Sequence, residues 1–407
     1  MLFLDPLDIL LNKDQVVPYY QPIISADKQM VIGYEVFARM NTKEGPLSLG
    51  SFFQDESIPL EYRDEIDEYV YTLALEQFLH SPDQYIVLNT NIHSLLKDNG
   101  DHLMEKLFTY QGKGLSLNRV VLEIKEKDYN TNFTDIKHLI TYIQSTGVNI
   151  AIGDVGISHT NLERLATLNP NIVKVNLGFL EGDTLPDLYR DVLHSLSLLT
   201  RKLGSTLLFE GIDKYSKLNF AWRNGARYYQ GYYLASPKPS FVEAEFTKDT
   251  LQKEFHLFIE QERKKIKAQH ELTEKLSLEL KSVLKNMKAN NNLDNFLLSI
   301  ANALSSFSFR VYICDHDGFQ QTSNAIRTNE GLWKLEKSGF QRNWSWRPYF
   351  IENIVKMEFK KRGILSDLYT DIEKDEMIRT YSYPLEDGLF LFIDIPYSYL
   401  YEQEGLL

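Results

Sequence analysis

The sequence predicts an α/β protein: a (β/α)8 TIM-like barrel, then a long linking helix and a smaller α+β domain. Three observations lead to this prediction. Short β-rich runs alternate with helix-length segments over residues 16–239, a stretch without Gly or Pro covers residues 241–287, and the remaining chain mixes helices with strands joined by tight turns. Repeated β-then-α units build a mostly parallel sheet covered by helices, and about eight strands in about 240 residues suit a closed barrel.

Eight runs carry the strand pattern of the barrel. They are VVPYYQPIIS, VIGYEVFARM, YIVLNTN, RVVLEIKE, VNIAIGDVG, IVKVNL, STLLFEGI and ARYYQGYYLA. The first two follow each other across a turn at Asp27-Lys28, which predicts one antiparallel opening pair, and helix-length segments at 62–79, 134–144 and 185–203 separate later runs. A doubly wound open sheet is the alternative, but no glycine-rich dinucleotide fingerprint follows the first strand.

The composition is that of an ordinary globular protein with an acidic balance. The chain has 407 residues, 43% hydrophobic and 25% charged, and its 44 basic against 56 acidic residues give a formal net charge of −12. A binder of polymeric nucleic acid would instead show a basic excess. A single cysteine, Cys314, excludes an intramolecular disulfide and a thiolate zinc site. We expect a cytoplasmic protein, because Asp5 and Asp8 interrupt the apolar start and no run is long enough to cross a bilayer.

Polar residues fall at corresponding places in the barrel runs. They are Glu35, Asn89, Glu123, Asp154, Lys174, Glu210 and Gln230. The carboxyl ends of the strands form the active-site face of such barrels. Any one of these residues alone is more often a solvated strand end, but converging carboxylates need cations or hydrogen bonds to tolerate burial. Oxygen ligands of this kind suit hard ions such as Mg²⁺, Mn²⁺ or Ca²⁺ rather than zinc.

Eight motifs in order make residues 14–239 resemble the EAL-domain family. They are QPI at 21–23, GYEVFAR at 33–39, LN at 88–89, LEIKE at 122–126, GDVG at 153–156, VKVN at 173–176, EGID at 210–213 and QGYYL at 230–234. The resemblance implies a barrel that binds cyclic di-GMP and, in active members, hydrolyses one phosphodiester to linear pGpG. It also implies Mg²⁺, or Mn²⁺ or Ca²⁺, as the cofactor.

The resemblance assigns a role to each matching position. Four positions would be metal ligands: Glu35, Asn89, Glu123 and Asp154. Three would serve catalysis. Lys174 would orient the attacking water, Glu210 would complete the metal and water environment, and Glu126 would brace the loop after position 154. Three would bind the ligand, one of them through a phosphate oxygen: Gln21, Gln230 and Arg39. Two neighbouring cations that generate hydroxide and stabilise the attacking and leaving oxygens are the chemistry that phosphodiester hydrolysis needs.

Departures from the family pattern bear on activity. The Glu-Ala-Leu signature is Glu35-Val36-Phe37, which keeps the ligand but adds a bulky ring, and the paired aspartates are Gly153-Asp154, so the first is absent. Loss of a charged ligand lowers metal occupancy and weakens the field that acidifies bound water. We therefore expect cyclic di-GMP recognition with weak or no hydrolysis. The alternative is an active metal-dependent phosphodiesterase, regulated by the C-terminal domain, in which another group replaces the missing ligand.

We predict domain boundaries of 1–240 for the barrel, 241–289 for the linking helix and 290–407 for the last domain. Along the helix a coiled-coil-like seam recurs at alternating steps of three and four: Ile266, Gln269, Thr273, Leu276, Leu280, Val283 and Met287. Two interpretations stay open, packing of the seam against its own domain and a dimerising stalk. We favour the stalk, and hence a homodimer, because a helix of this length exceeds what one small domain can cover.

The last domain resembles PAS-like or Cache-like sensor domains, in particular the domain behind the EAL domain in YkuI-type proteins. The pattern predicts helices at 293–304 and 350–361, strands at 307–314, 319–324, 379–384 and 389–394, and a tight Glu386-Asp387-Gly388 turn between the last two strands. Trp344, Trp346, Arg347 and Tyr349 admit two interpretations. They would bind an unknown small ligand through its carboxylate or phosphate, or fill the core around a structural ion pair.

Overall fold

The computed structural model describes residues 5–81, 83–126, 133–156, 161–178, 187–285, 292–371 and 373–403. The chain forms two compact units, residues 1–255 and residues 256–407. Within the described ranges every helix is too short or too polar to cross a membrane.

Eight strands close the barrel of the first unit, as the alternating pattern predicts. The strands of this unit are β1 (Val16–Ser25), β2 (Val31–Thr42), β3 (Gly45–Ser48), β4 (Tyr85–Asn89), β5 (Val120–Lys125), β6 (Asn149–Val155), β7 (Ile172–Asn176), β8 (Thr206–Glu210) and β9 (Tyr228–Tyr229). β2 and β4 to β9 run parallel in that order, and β1 completes the ring antiparallel to both β2 and β9. The antiparallel opening pair is therefore confirmed, and the unpredicted β3 pairs with β2 outside the ring.

Nine described helices belong to this unit. They are α1 (Pro6–Leu11), α2 (Gly50–Gln54), α3 (Leu60–Phe78), α4 (Ile92–Lys97), α5 (Asp101–Gly112), α6 (Phe133–Ser145), α7 (Leu162–Leu168), α8 (Asp187–Leu203) and α9 (Tyr215–Arg223). α6 shows how the sequence selects them, because Ile136, Leu139, Ile140 and Ile143 recur at helical spacing and are all buried. The three helix-length segments named from the sequence correspond to α3, α6 and α8.

A layer of apolar side chains fills the barrel interior and supports a polar layer. The apolar layer is Ile23, Val87, Val121, Ala151, Ile172, Leu208 and Tyr228. Side chains alternate along a strand, so the residue two positions further on faces the interior again. On the parallel strands those next positions hold Asn89, Glu123, Gly153, Lys174, Glu210 and Gln230. Strand alternation therefore places the predicted site residues together at the carboxyl ends.

The last barrel strand is shorter than the sequence pattern indicates. β9 has only two residues, and the chain then turns, with Tyr233 N donating to Ile212 O at 2.9 Å. A Cβ atom added at Gly231 would lie 2.1 Å from Ile212 O. Glycine is therefore required where the backbone passes over the end of β8, and this close approach ends the strand.

The second unit is an antiparallel sheet with helices on both faces. Its strands are β10 (Arg310–Asp315), β11 (Asn324–Arg327), β12 (Trp333–Glu336), β13 (Ile364–Leu365), β14 (Tyr369–Thr370), β15 (Met377–Pro384) and β16 (Leu389–Pro396). Its remaining elements are the long helix α10 (Lys248–Lys285), which begins in the first unit, α11 (Leu293–Ala303), α12 (Pro348–Lys360) and α13 (Tyr397–Tyr401). Val311 and Ile313 pack with α11, whereas Tyr312 and Cys314 pack with α12, as strand alternation requires. The smaller sheet domain is confirmed.

One strand predicted in this unit, residues 319–324, does not form. Phe319 and Gln320 make only isolated bridges, and the ladder resumes at Asn324. The hydroxyl of Thr322 accepts a hydrogen bond from Ile313 N at 3.0 Å. A side chain thus takes the place of a backbone carbonyl, which interrupts the strand pairing.

The long helix α10 starts later than predicted and buries part of the predicted seam. The ring of Phe241 lies 4.6 Å from that of Tyr20 and 4.7 Å from that of Tyr34, so these residues belong to the barrel and the helix begins only at Lys248. Leu276 and Leu280 are fully buried in the core of the second unit. For this half of the seam the packing interpretation is correct. Met287 and the break at 290–291 lie outside the described residues.

Candidate active site

Lys174 stands at the centre of the polar layer. Its side chain is 1% exposed, and its Nζ lies 2.7 Å from Glu35 Oε2, 2.5 Å from Glu123 Oε2 and 3.0 Å from Glu210 Oε2. Strands β2, β5 and β8 each supply one of these carboxylates. Three carboxylates around one ammonium leave an excess of negative charge when all are ionised. A buried cluster of this kind favours protons or additional cations.

The pKa values of the cluster follow from burial and from these neighbours. Burial raises the pKa of Glu123 to about 8, and the negative charge of Glu35 acts in the same direction against the attraction of Lys174. Burial likewise raises the pKa of Glu210. At Glu35 the ammonium and the hydrogen bonds outweigh burial and lower the pKa. Burial disfavours the charged form of Lys174, but the three carboxylates raise its pKa well above the ordinary value.

Two amide side chains connect the cluster to the strands on either side. Asn89 Nδ2 donates to Glu35 Oε1 at 2.9 Å, and Gln230 Nε2 donates to Glu35 Oε2 at 2.7 Å and to Gln21 Oε1 at 3.3 Å. The buried Oε1 of Gln230 has no hydrogen-bond partner in the described part of the chain. The polar layer thus keeps an unused oxygen acceptor that a water or a cation would satisfy.

A β-bulge sets Asp154 apart from the glutamates. The pairing of β6 with β7 shifts between Ile152 and Val155, and Asp154 has a φ of 58°. Its Oδ2 lies 3.4 Å from Lys125 Nζ, and its Oδ1 accepts from Asn176 Nδ2 at 3.1 Å. Bulges commonly redirect side chains beside active sites. The bulge therefore gives Asp154 a lysine and an amide as its neighbours.

Gly153 lies directly beside Glu123. A Cβ atom added at position 153 would lie 2.3 Å from Glu123 Oε1, which is shorter than any real contact. Glu123 therefore occupies the space that an acidic side chain at 153 would enter. The glycine permits the contact between Glu123 and Lys174.

Two cavities open above the polar layer. Their volumes are about 410 Å³ and 510 Å³, and Phe37, Glu123 and Lys125 line both. Seven of the predicted site residues line the smaller cavity: Gln21, Glu35, Asn89, Glu123, Asp154, Glu210 and Gln230. Lys174 lies among them. The structure thus brings eight of the ten predicted residues together.

The remaining two predicted residues, Arg39 and Glu126, line neither of these cavities. The guanidinium carbon of Arg39 lies 5.8 Å from the ring centroid of Tyr19, and Arg39 lines neither cavity. Glu126 is buried and accepts a hydrogen bond from Asn161 N at 3.2 Å. Their roles toward a phosphate and a loop stay predictions.

Sequence reasoning missed the contribution of Lys125. This residue lies two positions after Glu123 on β5, so alternation places both side chains on the interior face. Burial opposes its charge, but Asp154 and Glu123 raise the pKa of Lys125. Strand alternation alone would have identified it as a site residue.

Oxygen donors of the kind that hard cations prefer lie in the polar layer. Glu35, Asn89 and Glu123 offer the carboxylate and amide oxygens that Mg²⁺, Mn²⁺ and Ca²⁺ prefer. In the described ranges, no group of three or more His, Cys, Asp and Glu side chains is arranged to hold a metal ion. A second cation would depend on Asp154, whose carboxylate already pairs with Lys125.

The fold and the site define a TIM-like barrel protein with a carboxylate- and lysine-lined site at its strand ends. The chain belongs to the EAL-domain family: residues 6–237 match the EAL domain, and residues 241–407 match the EAL-domain associated signalling protein domain. YkuI of Bacillus subtilis, an uncharacterized EAL-domain containing protein, is 43% identical over 407 residues, 99% of this chain and 100% of YkuI.

A solved structure of YkuI and a second relative are also similar to this chain. A crystal structure of Bacillus subtilis YkuI in complex with substrate c-di-GMP and calcium matches with a TM-score of 0.94 at 44% identity, covering 99% of this chain and 100% of that one. The probable cyclic di-GMP phosphodiesterase PdeB of Escherichia coli is 24% identical over 246 residues, 58% of this chain and 45% of PdeB. The match to PdeB thus spans less than half of that relative.

Proposed function

We propose that the barrel binds cyclic di-GMP at the carboxyl ends of its strands with one divalent cation, Mg²⁺ or a related ion, and hydrolyses it weakly or not at all. Membership of the EAL-domain family and the YkuI complex with c-di-GMP and calcium support the ligand and the cation. The residue at position 153 is the reason why we expect weak hydrolysis. Glycine supplies no carboxylate there, and Glu123 lies against the space that one would occupy.

The chain's own residues would divide the work as follows. Glu35, Asn89 and Glu123 would hold the cation, which when bound supplies a Lewis acid for a phosphate oxygen and for water. Lys174 fixes the two glutamates through contacts of 2.7 and 2.5 Å. Glu210, whose pKa is raised by burial, would hold a proton beside them. Gln21 and Gln230 would position the nucleotide, and Arg39 would contact a phosphate oxygen.

Lys125 supports binding without turnover. Its ammonium lies 3.4 Å from Asp154 Oδ2 and lines both cavities. An ammonium neutralises the charge of a phosphate oxygen, as a metal ion does. Unlike a metal ion, it does not generate hydroxide from a bound water. We infer that Lys125 supplies the positive charge that a second metal ion would bring, but does not activate water as that ion would.

Calorimetric titration with cyclic di-GMP tests the binding proposal. We expect saturable binding in the presence of Mn²⁺ that weakens at least about tenfold in EDTA, because phosphate recognition then loses its cation. Glu35→Gln should weaken binding in Mn²⁺ and reduce the effect of EDTA. Absence of binding at micromolar concentrations by a protein with a normal circular dichroism spectrum would contradict the proposal.

The competing function is an active phosphodiesterase regulated by the second unit. The retained contact of 3.0 Å between Lys174 and Glu210 favours it, because both residues are predicted to serve catalysis. Release of pGpG over many turnovers, at the rate of an EAL protein with both paired aspartates, would establish this alternative.

We infer a homodimer formed through α10. Ile259 and Ile266 lie seven residues apart on one face of the helix and are 40% and 51% exposed. Apolar side chains at this spacing are typical of helix pairs. Ile259 and Ile266, rather than the buried half of the seam, would form the contact between the two chains.

We also propose that the second unit is a PAS-like domain that takes a small ligand, and that the protein is cytoplasmic. The only cysteine, Cys314, is buried, and burial raises the pKa of its thiol. An inert thiol suits a reducing compartment. Fractionation of cells that express a tagged chain tests the location.

A further inference from the structure

The helix α12 carries apolar side chains on two faces. One face is buried against the sheet of the second unit: Phe350, Ile354 and Met357. On the other face Ile351, Val355 and Phe359 recur every four residues and are 61%, 56% and 90% exposed. Residues four apart on a helix lie one above the other on the same face. These three exposed side chains therefore form one continuous row, which we call the α12 stripe.

The α12 stripe is an interaction surface rather than a set of isolated side chains. Single apolar residues at a protein surface are common and need no explanation, but a contiguous exposed apolar patch marks a contact with another molecule. A helix with apolar side chains on all sides is normally buried on all sides. In α12 only the face toward the sheet is buried. The stripe therefore calls for a partner outside the second unit.

Basic residues lie at one end of the α12 stripe. From Ile351 to Arg362 the chain holds four basic and two acidic side chains, a local excess of positive charge in a chain whose net charge is −12. Lys360, Lys361 and Arg362 follow directly after Phe359. Positive charge is thus concentrated beside the most exposed side chain of the stripe.

Two of these basic side chains are available to an external anion. Lys356 Nζ lies 2.6 Å from Glu352 Oε1, and Arg362 Nη1 lies 3.8 Å from Glu274 Oε1. Lys360 and Lys361 are exposed, and in the described part of the chain no carboxylate lies within ion-pair distance of either ammonium group. An anionic partner would therefore meet two ammonium groups next to the apolar row.

The shape and the charge of this surface fit a lipid bilayer. Phe359 projects from the helix, so a protein partner would have to supply a matching groove, whereas the acyl boundary of a bilayer accepts a projecting ring without one. Helices that present Phe and aliphatic side chains together with Lys and Arg lie in the interface of a bilayer. An anionic bilayer surface also attracts Lys and Arg side chains close to it.

We propose that α12 binds the surface of an anionic lipid bilayer, with Val355 and Phe359 at the acyl boundary and Lys360 and Lys361 at the lipid phosphates. The inference does not rest on the proposed binding of cyclic di-GMP, because every residue that it uses belongs to the second unit.

Sedimentation of the full-length protein with lipid vesicles tests the inference. We expect binding to phosphatidylcholine vesicles that contain about 30% phosphatidylglycerol, because the anionic lipid attracts the lysines. Binding should be at least about tenfold weaker to phosphatidylcholine alone, and also to the anionic vesicles in about 0.5 M NaCl, because salt screens the attraction.

Substitutions in α12 separate the apolar contribution from the electrostatic one. Phe359→Ser should weaken binding to the anionic vesicles at least about tenfold, because it removes a ring that leaves water. Lys360→Gln should weaken it about fivefold, the effect of one basic residue near an anionic surface. Leu332→Ser is the matched control, since Leu332 is 66% exposed in the second unit but lies outside α12, and this variant should bind vesicles like the parent protein. All three variants should bind cyclic di-GMP like the parent protein.

Three outcomes would overturn the inference. One is no sedimentation with the anionic vesicles at about 1 mM accessible lipid, a concentration at which even millimolar affinity is visible. Another is equal binding of Phe359→Ser and the parent protein to these vesicles. The third is a mass, measured by light scattering without vesicles, that falls from two chains to one in Phe359→Ser, which would assign the α12 stripe to a contact between two copies of the chain.

Discussion

Gly153 and Glu123 are so close that a Cβ atom at position 153 would lie 2.3 Å from Glu123 Oε1. Glu123 is held in this place by Lys174, whose Nζ lies 2.5 Å from its Oε2. An aspartate at 153 therefore requires the Glu123 side chain to shift. Glycine at 153 thus supplies no metal ligand, and it leaves room for Glu123 to contact Lys174, which provides the positive charge nearest to Glu123.

Restoring the acidic side chain should restore hydrolysis at a cost in stability. Gly153→Asp adds a carboxylate to the site and displaces Glu123, so we expect pGpG release in Mn²⁺ to rise at least about tenfold. In EDTA the same variant should melt at a lower temperature than the parent protein, because an additional buried carboxylate lacks a partner. Chromatography of pGpG and thermal melts with and without Mn²⁺ measure the two effects.

Gly153→Ala is the matched control, because it adds the same Cβ atom without a carboxylate. We expect it to lower the melting temperature with or without Mn²⁺ and to leave hydrolysis unchanged. Equal hydrolysis by the alanine and aspartate variants would show that displacement of Glu123, and not the missing ligand, limits turnover.

Removal of the Lys125 charge should shift the site from nucleotide binding toward metal binding. In Lys125→Met, Asp154 loses its ammonium neighbour at 3.4 Å and becomes available to a cation. We expect Mn²⁺ to bind about fivefold more tightly to the free protein and cyclic di-GMP to bind several-fold more weakly. Lys125→Arg keeps the charge and should resemble the parent protein in both titrations. Equal effects of the two substitutions would show that the charge of Lys125 does not determine the affinity for Mn²⁺ or for cyclic di-GMP.

The stability of the barrel should depend on pH through Glu123. The pKa of Glu123 is raised from 4.5 to about 8, so the folded protein retains a proton that the unfolded chain releases between these values. Its contribution to the free energy of unfolding is therefore complete below pH 4.5, falls by up to about 1.4 kcal/mol per pH unit and is lost above pH 8. Glu123→Gln should flatten this fall in urea unfolding measured from pH 5 to 8 in EDTA. An unchanged slope would assign the pH dependence to other groups.

The dimer should depend on the exposed part of α10. We expect light scattering to give the mass of two chains, and Ile266→Asp to give the mass of one, because a charge enters an apolar helix contact. Leu276→Ala is the control: Leu276 is fully buried in the second unit, so this substitution should lower the melting temperature and leave the mass unchanged. A monomeric parent protein would contradict the proposal.

Strand alternation explains how much of the site could be predicted. The residues Glu35, Asn89, Glu123, Lys174, Glu210 and Gln230 meet because each occupies the same interior layer of its strand. The sequence could not show the orientation of Asp154, because that depends on a bulge between β6 and β7. It also could not show that Glu123 fills the space beside Gly153, since this is a contact between side chains on two strands.

The helix α10 shows that hydrophobic periodicity does not identify what a helix face packs against. Its seam predicts a contact face but not the partner of that face, and Leu276 and Leu280 turn out to pack in the core of their own unit. The same pattern serves a coiled coil and a helix on a sheet, because both bury residues at steps of three and four. Seven residues before the helix begins, Phe241 packs with Tyr20 and Tyr34 of the barrel, a contact between distant sequence positions that forms only in the folded protein.

We propose that this EAL domain recognises cyclic di-GMP without turning it over efficiently. Incubation of the full-length protein with labelled cyclic di-GMP and Mn²⁺, followed by measurement of retained ligand and released pGpG in the same sample, tests it most directly. We predict that the ligand is retained stoichiometrically and that fewer molecules of pGpG are released than molecules of protein are present. Many turnovers by the parent protein, at the rate of an EAL protein with both paired aspartates, would show instead that the domain is an active phosphodiesterase.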